Sequence, residues 1–426
     1  SGPFFALFRT QLAAAAAAHA NANPCNQNLL QARPAPEPRD VNWSALQRGW
    51  LQSEVRPVLI LPLLVAIMLF PIGIFTGGFT QLTNALCGDP ASPSSTTGIC
   101  SDDPWSTFAR NLLSGVIPSV LLSLYQALVL PQAVYAAALG EGVHYSMHAL
   151  DKRVGGLLFH WVVWNLFLGA LLGGSVFSSI RVFIDNPQDI WQLLGAAIPA
   201  SSNFFVLYVI FRAFVMVPFR LFWPSAATLA YIFKTLRLVK WSNNMYDAYW
   251  EQPARNQRAS YDVGVVVLTI YVAALAYGAV TPFILPFGLI YFSLMWVVWR
   301  YQALYVWEPA WETGGTVWPF FARRLVACLG IMVVFTVTML IVKAAYVQAG
   351  IMLFSLGVFL IAFSRSLGRF DAAISDAPLW EIQAAPRIEP DAAFYTAAPL
   401  RSDAEAVWYP EWGKAWQFWL MPRYGL

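Results

Sequence analysis

The feature of this sequence that most restricts its fold is a series of long apolar segments between Val55 and Leu367. A helix needs roughly 20 residues, rising 1.5 Å each, to cross a hydrocarbon core of about 30 Å. Eight segments reach that length, so the sequence predicts an all-α polytopic membrane protein with its transmembrane domain over residues 51–367. The predicted spans are 55–82, 106–139, 155–183, 197–239, 262–281, 284–306, 320–343 and 350–367.

Composition agrees with a lipid environment and excludes several function classes. Apolar residues make up 58% of the chain and charged residues 12%, against about 45–50% and about 25% in soluble domains. The net charge of +3 provides no basic field for a nucleic-acid partner. No nucleotide-binding loop or nucleophile motif occurs, so neither enzymatic activity nor a cofactor is predicted. His144 and His148 have helical spacing but lack a third metal ligand, which favours a solvated pair at a helix end.

Lysine and arginine placement predicts the orientation of the spans. If residues 1–50 are cytoplasmic and the spans alternate, only Arg110, Arg181 and Lys343 fall on the opposite side. Arg212 and Arg220 fall inside the fourth span, and the other 21 of the 26 basic residues are cytoplasmic. Such an asymmetry is the usual signature of membrane orientation.

This orientation places the loop between the first two spans outside the cytoplasm, where Cys87 and Cys100 lie. Two cysteines in such a loop favour a disulfide that staples the loop, and a pair of free thiols is the alternative. The second and fourth spans are too long for simple crossings. We expect them to extend beyond the membrane or to bend at Pro131 and at Pro218 and Pro224.

Polar residues inside predicted spans are candidates for function, because charge in a bilayer is costly and usually faces water or a partner. Arg212 and Arg220 are eight residues apart, so both side chains can face one cavity; snorkelling to a headgroup or pairing with a carboxylate is the alternative. Gln126 and Asn165 are weaker candidates, since an amide often only bonds a neighbouring helix. Gly169 and Gly173 allow close helix packing or a pivot.

The two ends of the chain differ from its centre. Residues 4–8 are apolar and predict a short buried strand, followed by a helix in the alanine run from Ala13 to Ala18. A polar, proline-bearing linker then reaches residue 50. Residues 368–426 form the predicted cytosolic tail, in which four tryptophans have near-helical spacing suited to a membrane surface or a partner helix: Trp408, Trp412, Trp416 and Trp419.

Six motifs, in order along the chain, resemble the OSCA family of hyperosmolality-gated, calcium-permeable channels. They begin at Ala35, Leu150, Asn203, Pro286, Trp311 and Gly368, and read APEPRDVNW, LDKR, NFF, PFGLIYF, WETGG with Trp318-Pro319, and GRFD. The resemblance covers nearly all of residues 4–383. It implies that residues 1–50 hold the end of an RNA-recognition-like cytosolic domain, and that the fold is the helical bundle of scramblases and calcium-activated chloride channels.

The same resemblance implies a function. The chain is expected to be a mechanosensitive ion channel, permeable to cations including calcium, with a pore among its first five spans. The candidate pore or gate residues are Gln126, Asn165, Gly169, Gly173, Asn203, Tyr208, Arg212 and Arg220. Arg212 and Arg220 stand where the family typically has acidic residues, and they would repel cations.

Partners and alternatives follow from the same comparison. Family members have eleven spans, so the chain is expected to act as a homodimer or with a separate polypeptide that supplies three further spans. Its other expected partners are membrane lipids and permeating ions. The expected location is the plasma membrane, with an organelle membrane as the alternative. A lipid scramblase and a non-conducting structural subunit of a larger membrane complex are the alternative functions.

Overall fold

Helices dominate the part of the chain that the computed structural model describes. The described residues are 4–19, 32–46, 49–69, 117, 120–121, 125–164, 190–222, 267–305, 313–375, 379–387 and 389. Their helices are α1 Gln11–His19, α2 Trp43–Leu46, α3 Trp50–Leu69, α4 Leu130–Glu141, α5 Met147–Trp161, α6 Ile190–Phe211, α7 Val217–Phe222, α8 Leu268–Gly278, α9 Ile284–Tyr305, α10 Val317–Val342, α11 Tyr346–Ser375 and α12 Leu379–Ala384. Within these residues the β-contact is an isolated antiparallel bridge between Val41 and Ser146.

Three of the described helices are long and apolar enough to cross a membrane: Ile284–Tyr305, Val317–Val342 and Tyr346–Phe370. They coincide with the sixth, seventh and eighth predicted spans. Two shorter apolar helical stretches, Phe204–Met216 and Leu268–Gly278, fall in the fourth and fifth predicted spans. The chain is therefore an integral membrane protein of mostly helical structure, as predicted.

Two of the prolines at which the sequence predicts bends lie beside changes in helix type. The π-helical turn Tyr125–Val129 directly precedes α4, whose second residue is Pro131. A second π-helical turn, Arg212–Met216, directly precedes Pro218 in α7. A proline lacks an N–H and clashes with the carbonyl four residues earlier. In both spans that carbonyl lies within the π-helical turn, whose wider geometry accommodates the ring. Pro224 lies outside the described residues.

One part of the N-terminal prediction is wrong. The helix in the alanine run is present as α1, but residues 4–8 form no strand and Phe4 is 75% exposed. A strand needs a neighbour to complete its backbone hydrogen bonds, and no described segment offers one here. Phe5 instead makes an edge-to-face contact with Trp43, with ring centroids 6.0 Å apart.

Aromatic side chains join α6, α8 and α10 in the core. Phe205 and Tyr277 stack at 4.3 Å between centroids, and Tyr277 meets the edge of Phe335 at 5.8 Å. Phe205 and Tyr277 are fully buried. The predicted tight hairpin of the fifth and sixth spans is present, because α8 ends at Gly278 and α9 begins only six residues later.

Candidate functional site

A polar cluster lies buried where the second and fourth predicted spans meet. Tyr208 donates its hydroxyl to Gln126 Oε1 at 2.5 Å, and Arg212 Nη2 donates to the same oxygen. The Arg212 guanidinium also lies over the Tyr208 ring, 5.2 Å from its centroid. Gln126 and Tyr208 are fully buried, and Arg212 is 4% exposed. These three residues are all among the candidate pore or gate residues predicted from the sequence, and they are called the gate cluster below.

The π-helical turns position the gate cluster. Gln126 is the second residue of the turn that precedes α4, and Arg212 is the first residue of the turn that follows α6. Tyr208 precedes Arg212 by four residues, so the two side chains share one helix face. π-Helical turns are rare and occur frequently at functional sites. The turn Tyr125–Val129 and the turn Arg212–Met216 each supply one member of the gate cluster.

The chemistry of the cluster fits its burial. An amide oxygen has two lone pairs, so Gln126 Oε1 can accept from the Tyr208 hydroxyl and the Arg212 guanidinium together. Arginine stays protonated at any physiological pH, so a positive charge is present inside the span. Burying polar groups costs several kcal/mol, of order 2–7, unless hydrogen bonds compensate. The two bonds to Gln126 and the aromatic face of Tyr208 contribute to that compensation.

The remaining predicted site residues have different placements. Asn203 lies on α6, and Arg220 lies on α7, where its backbone carbonyl accepts a hydrogen bond from Gln302 Nε2 at 3.2 Å. Arg212 and Arg220 thus take part in contacts with different helices. The other candidates lie outside the described residues: Asn165, Gly169, Gly173, Cys87 and Cys100.

A second polar cluster, which was not predicted, surrounds the turn between α4 and α5. Arg153 on α5 binds Glu141 at the end of α4 through two hydrogen bonds of 2.9 and 3.2 Å. Burial alone would raise the pKa of Glu141. His144, whose Nε2 lies 3.6 Å from Glu141 Oε2, and the hydrogen bonds and charge of Arg153 outweigh burial and lower that pKa to about 2. The ion pair therefore holds the end of α4 to the middle of α5.

The two histidines in this turn are not the solvated pair that their spacing favoured. His148 is partly buried, and its Nε2 lies 2.5 Å from Thr316 Oγ1 at the start of α10. The Thr316 hydroxyl donates to Thr313 O, so His148 Nε2 is the donor of the pair. Burial and the charge of Lys152 lower the pKa of His148 from 6.5 to about 4. His148 therefore serves as a neutral hydrogen-bonding residue between two elements.

A third group at this turn comes from the segment before the first span. The Asp40 carboxylate accepts a hydrogen bond from the backbone N–H of His148 at 2.7 Å. Burial raises the pKa of Asp40 from 3.8 to about 6, against the lowering effects of hydrogen bonds from His148 and Ser146. Within the described part of the chain, no group of three or more His, Cys, Asp or Glu residues is arranged to bind a metal ion.

Comparison with known proteins identifies a family for this chain. Residues 95–340 match the family model described as "Calcium-dependent channel, 7TM region, putative phosphate". This range includes the whole gate cluster and the turn between α4 and α5. It also includes α6 to α9 and nearly all of α10.

Individual relatives are plant proteins. A "CSC1-like protein ERD4" from Brassica juncea is 29% identical over 69% of this chain and 39% of its own length. The "Hyperosmolality-gated Ca2+ permeable channel 1.7" of Arabidopsis thaliana is 26% identical over 82% of this chain and 43% of its own length. Channel 3.1 of the same series and organism is 29% identical over 69% of this chain and 39% of its own length. The chain thus spans about two fifths of the length of these curated relatives.

Proposed function

The chain belongs to the OSCA/CSC family of calcium-permeable channels, since the family model covers more than half of it, and from this premise we propose that it is a pore-bearing, tension-gated cation channel. Its relatives carry names that describe hyperosmolality-gated, Ca2+-permeable channels. The proposed topology is eight spans in the plasma membrane. The proposed pore lies among the first five of them, and calcium is among its permeating ions.

The gate cluster is the observation that carries the proposal. It joins two of the helices proposed to line the pore through one amide oxygen, and one of its members is a buried arginine. A bond from a charged donor such as the Arg212 guanidinium contributes roughly 1.5–3 kcal/mol, and a neutral one such as that from the Tyr208 hydroxyl contributes about 0.5–1.5 kcal/mol. A connection of that strength can hold two spans together at rest and still yield to a modest force.

Membrane tension would act on this connection through the area that the protein occupies in the membrane plane. A conformation that occupies more area in the membrane plane is favoured under tension, because the two states then differ in free energy without any ligand. We propose that opening separates the second and fourth spans and breaks the bonds to Gln126. The polar groups of Gln126, Tyr208 and Arg212 then line a hydrated path. The π-helical turns beside them are the positions at which each span can change its pitch with least loss of hydrogen bonding.

Arg212 and Arg220 are proposed to tune ion selectivity differently. The Arg212 guanidinium belongs to the gate cluster, so its charge lies beside the proposed path. The bond described for Arg220 involves its backbone carbonyl and α9. We expect Arg212 to have the larger effect on selectivity because its guanidinium is the group that bonds to Gln126.

The test is patch recording of the chain reconstituted in liposomes under suction. We expect unitary currents that appear only with tension. Arg212→Gln should shift the reversal potential in a salt gradient toward greater cation selectivity, because it removes a positive charge beside the path. Arg300→Gln is the matched control, since Arg300 is exposed on α9 and stacks on Trp296 at 5.4 Å. Silent patches would overturn the proposal, and fluorescent-lipid flipping in the same liposomes would support a scramblase instead.

The assembly is also a proposal. We propose that the conducting form contains a second copy of the chain or a separate polypeptide with further spans, surrounded by lipid. Native mass spectrometry of protein extracted from its own membrane would distinguish these compositions by mass. A mass equal to one chain would overturn both.

A further inference from the structure

The segment before the first span is bound to the turn between α4 and α5. Asn42 donates its backbone N–H to Tyr145 O at 2.8 Å and its Nδ2 to His144 O at 3.1 Å. Val41 forms the antiparallel bridge with Ser146. These partners are more than 100 residues apart in the chain, so the contact is a tertiary one. Asp40, Val41 and Asn42 are called the clasp below.

The clasp also caps a helix. Ser146 is the N-cap of α5 and accepts the N–H of Ala149 at 3.0 Å, while the Asp40 carboxylate accepts the N–H of His148. Both bonds satisfy donors that a helix N-terminus leaves open. Asp40, Val41 and Asn42 are 5%, 1% and 7% exposed, so the whole clasp is buried.

Three of the motifs from the sequence meet at this place. The clasp belongs to the motif that begins at Ala35, and Arg153 ends the motif that begins at Leu150. The third motif is the one around Thr313, which His148 reaches through Thr316. The gate cluster uses none of these three motifs. The place where these three motifs meet therefore needs an explanation other than the gate cluster.

The turn held by the clasp is connected to the gate cluster by continuous helix. Glu141 and Arg153 pair α4 with α5 just beyond the turn. α4 continues without interruption into the π-helical turn that carries Gln126. From Glu141 to Gln126 is 15 residues, or about 22 Å of helix at 1.5 Å per residue. One continuous helical segment thus links the turn to the gate cluster.

We propose that the clasp couples the segment before the first span to the gate cluster, so that its bonds to the turn between α4 and α5 raise the tension at which the channel opens. This rests on the proposed function. Force on the segment, from the membrane or from cytosolic residues before it, moves the turn and through α4 moves Gln126. Release of the clasp frees the turn and makes separation of the second and fourth spans easier.

The first test measures the coupling by hydrogen exchange and needs no recording of ion currents. Hydrogen–deuterium exchange is followed in lipid nanodiscs for the wild type and for the double variant Asp40→Ala, Asn42→Ala. We expect exchange about tenfold faster at residues 144–149, the size for loss of one or two such bonds, and also faster exchange at residues 125–130. Ser364→Ala is the control, because it removes a hydroxyl bond within α11. Faster exchange confined to residues 144–149 would overturn the coupling.

The second test strengthens the clasp instead of weakening it. Val41→Cys with Ser146→Cys places two thiols at the antiparallel bridge, where oxidation can join them. We expect the oxidised protein to open at higher tension than the same protein after reduction, and the Asp40→Ala, Asn42→Ala variant to open at lower tension than the wild type. Equal thresholds in all of them, with tension-gated currents present, would overturn the clasp proposal alone. Absence of current in every protein would overturn the proposed function, while the exchange experiment would still decide the coupling.

Discussion

At the scale of single residues, the central fact is that Gln126 receives two donors on one oxygen in an otherwise apolar region. Gln126 is apt for this role because its amide oxygen accepts two hydrogen bonds and carries no charge that would require a counterion in the span. Leucine in its place would leave the Arg212 and Tyr208 donors without this acceptor. An arginine is tolerated inside the span because such a carbonyl and an aromatic face surround it.

Removal of the Tyr208 hydroxyl tests one bond of this arrangement. Tyr208→Phe keeps the ring under the Arg212 guanidinium but removes the donor to Gln126, a loss of about 0.5–1.5 kcal/mol. We expect the variant to open at lower tension, measured as the midpoint of the pressure–current curve. Tyr305→Phe is the control, because Tyr305 is 76% exposed at the end of α9. An equal midpoint for Tyr208→Phe and wild type would show that this bond does not hold the closed state.

Two titratable residues at the clasp respond to pH in opposite directions. The pKa of Asp40 is raised to about 6, so its contribution to docking is present below about 3.8 and is lost as pH rises through about 6. The pKa of His148 is lowered to about 4, so its contribution is present above 6.5 and is lost as pH falls toward 4. Glu37 beside Asp40, and Lys152 beside His148, are the neighbouring charges.

Single variants should separate these responses between pH 7 and pH 5. Asp40→Asn removes the Asp40 contribution, so acidification should increase hydrogen exchange at residues 144–149 through His148. His148→Gln removes the His148 contribution, so acidification should decrease exchange there through Asp40. The wild type should change less than either variant because the two effects oppose each other. Exchange rates must be corrected for the intrinsic pH dependence with an unstructured peptide. Changes of the same sign in both variants would refute this account.

At the scale of elements, the hairpin of α8 and α9 depends on small residues at its contact. A Cβ added to Gly288 would lie 3.2 Å from the Cβ of Ala274, and one added to Gly278 would lie 2.9 Å from a Leu285 methyl group. The Ala274 contact cannot relax by a side-chain rotation, because alanine has no further atoms to move. The two helices must therefore separate if Gly288 becomes larger.

Gly288→Leu should lower the stability of the hairpin. Overpacking of a close contact costs typically about 1–3 kcal/mol, so we expect a lower thermal midpoint in detergent, followed by tryptophan fluorescence or size-exclusion recovery. Gly330→Leu on α10 is the matched control, since no atom lies within 4 Å of a Cβ built there. If both variants melt alike, α8 and α9 do not depend on close packing at Gly288.

The turn between α10 and α11 contains a strained residue. Ala344 has a φ of 57°, a left-handed conformation that costs a non-glycine residue about 1–2 kcal/mol. Ala344→Gly should therefore raise the thermal midpoint. Ala362→Gly, at an exposed position within α11, should lower it, because glycine in a helix interior costs about 0.5–1 kcal/mol relative to alanine. A lower midpoint for Ala344→Gly would contradict the conformation of this turn.

The sequence predicted helices well because the length and apolarity of a span are local properties. It also predicted, through Pro131 and Pro218, where two spans depart from regular helix. It did not predict π-helical turns, since a proline permits several ways to relieve the same clash. The strand at residues 4–8 failed for the converse reason, because an apolar run forms a strand only where another strand can pair with it.

The candidate site was predictable as a set of residues but not as an arrangement. Gln126, Tyr208 and Arg212 were candidates because they are polar or lie in the pore-helix region, yet their convergence on one oxygen depends on packing across more than 80 residues of chain. The clasp was missed because its bonds are mainly backbone contacts of Asn42, Val41 and His148, which leave no pattern in side-chain composition.

At the scale of the whole molecule, α10 is the helix from which the sides of the membrane can be assigned. Its first turn lies beside the turn between α4 and α5, because Thr316 contacts His148. α10 has 26 residues, or about 39 Å of helix, which exceeds the hydrocarbon thickness of about 30 Å. A membrane crossing by α10, which its length and apolarity allow, predicts that the turn after α10, which contains Ala344, lies on the opposite side from Tyr145. Charge distribution predicts that the side with Tyr145 is cytoplasmic.

Thiol labelling of intact cells tests this topology. Ala344→Cys and Tyr145→Cys would each be placed in a background with serine at Cys25, Cys87, Cys100 and Cys328, and both positions are exposed. A membrane-impermeant maleimide should label Ala344→Cys in intact cells and Tyr145→Cys only after permeabilisation. The reverse pattern would invert the orientation and place the clasp on the outer face, where cytosolic force could not reach it. Labelling of both without permeabilisation would contradict the crossing of the membrane by α10.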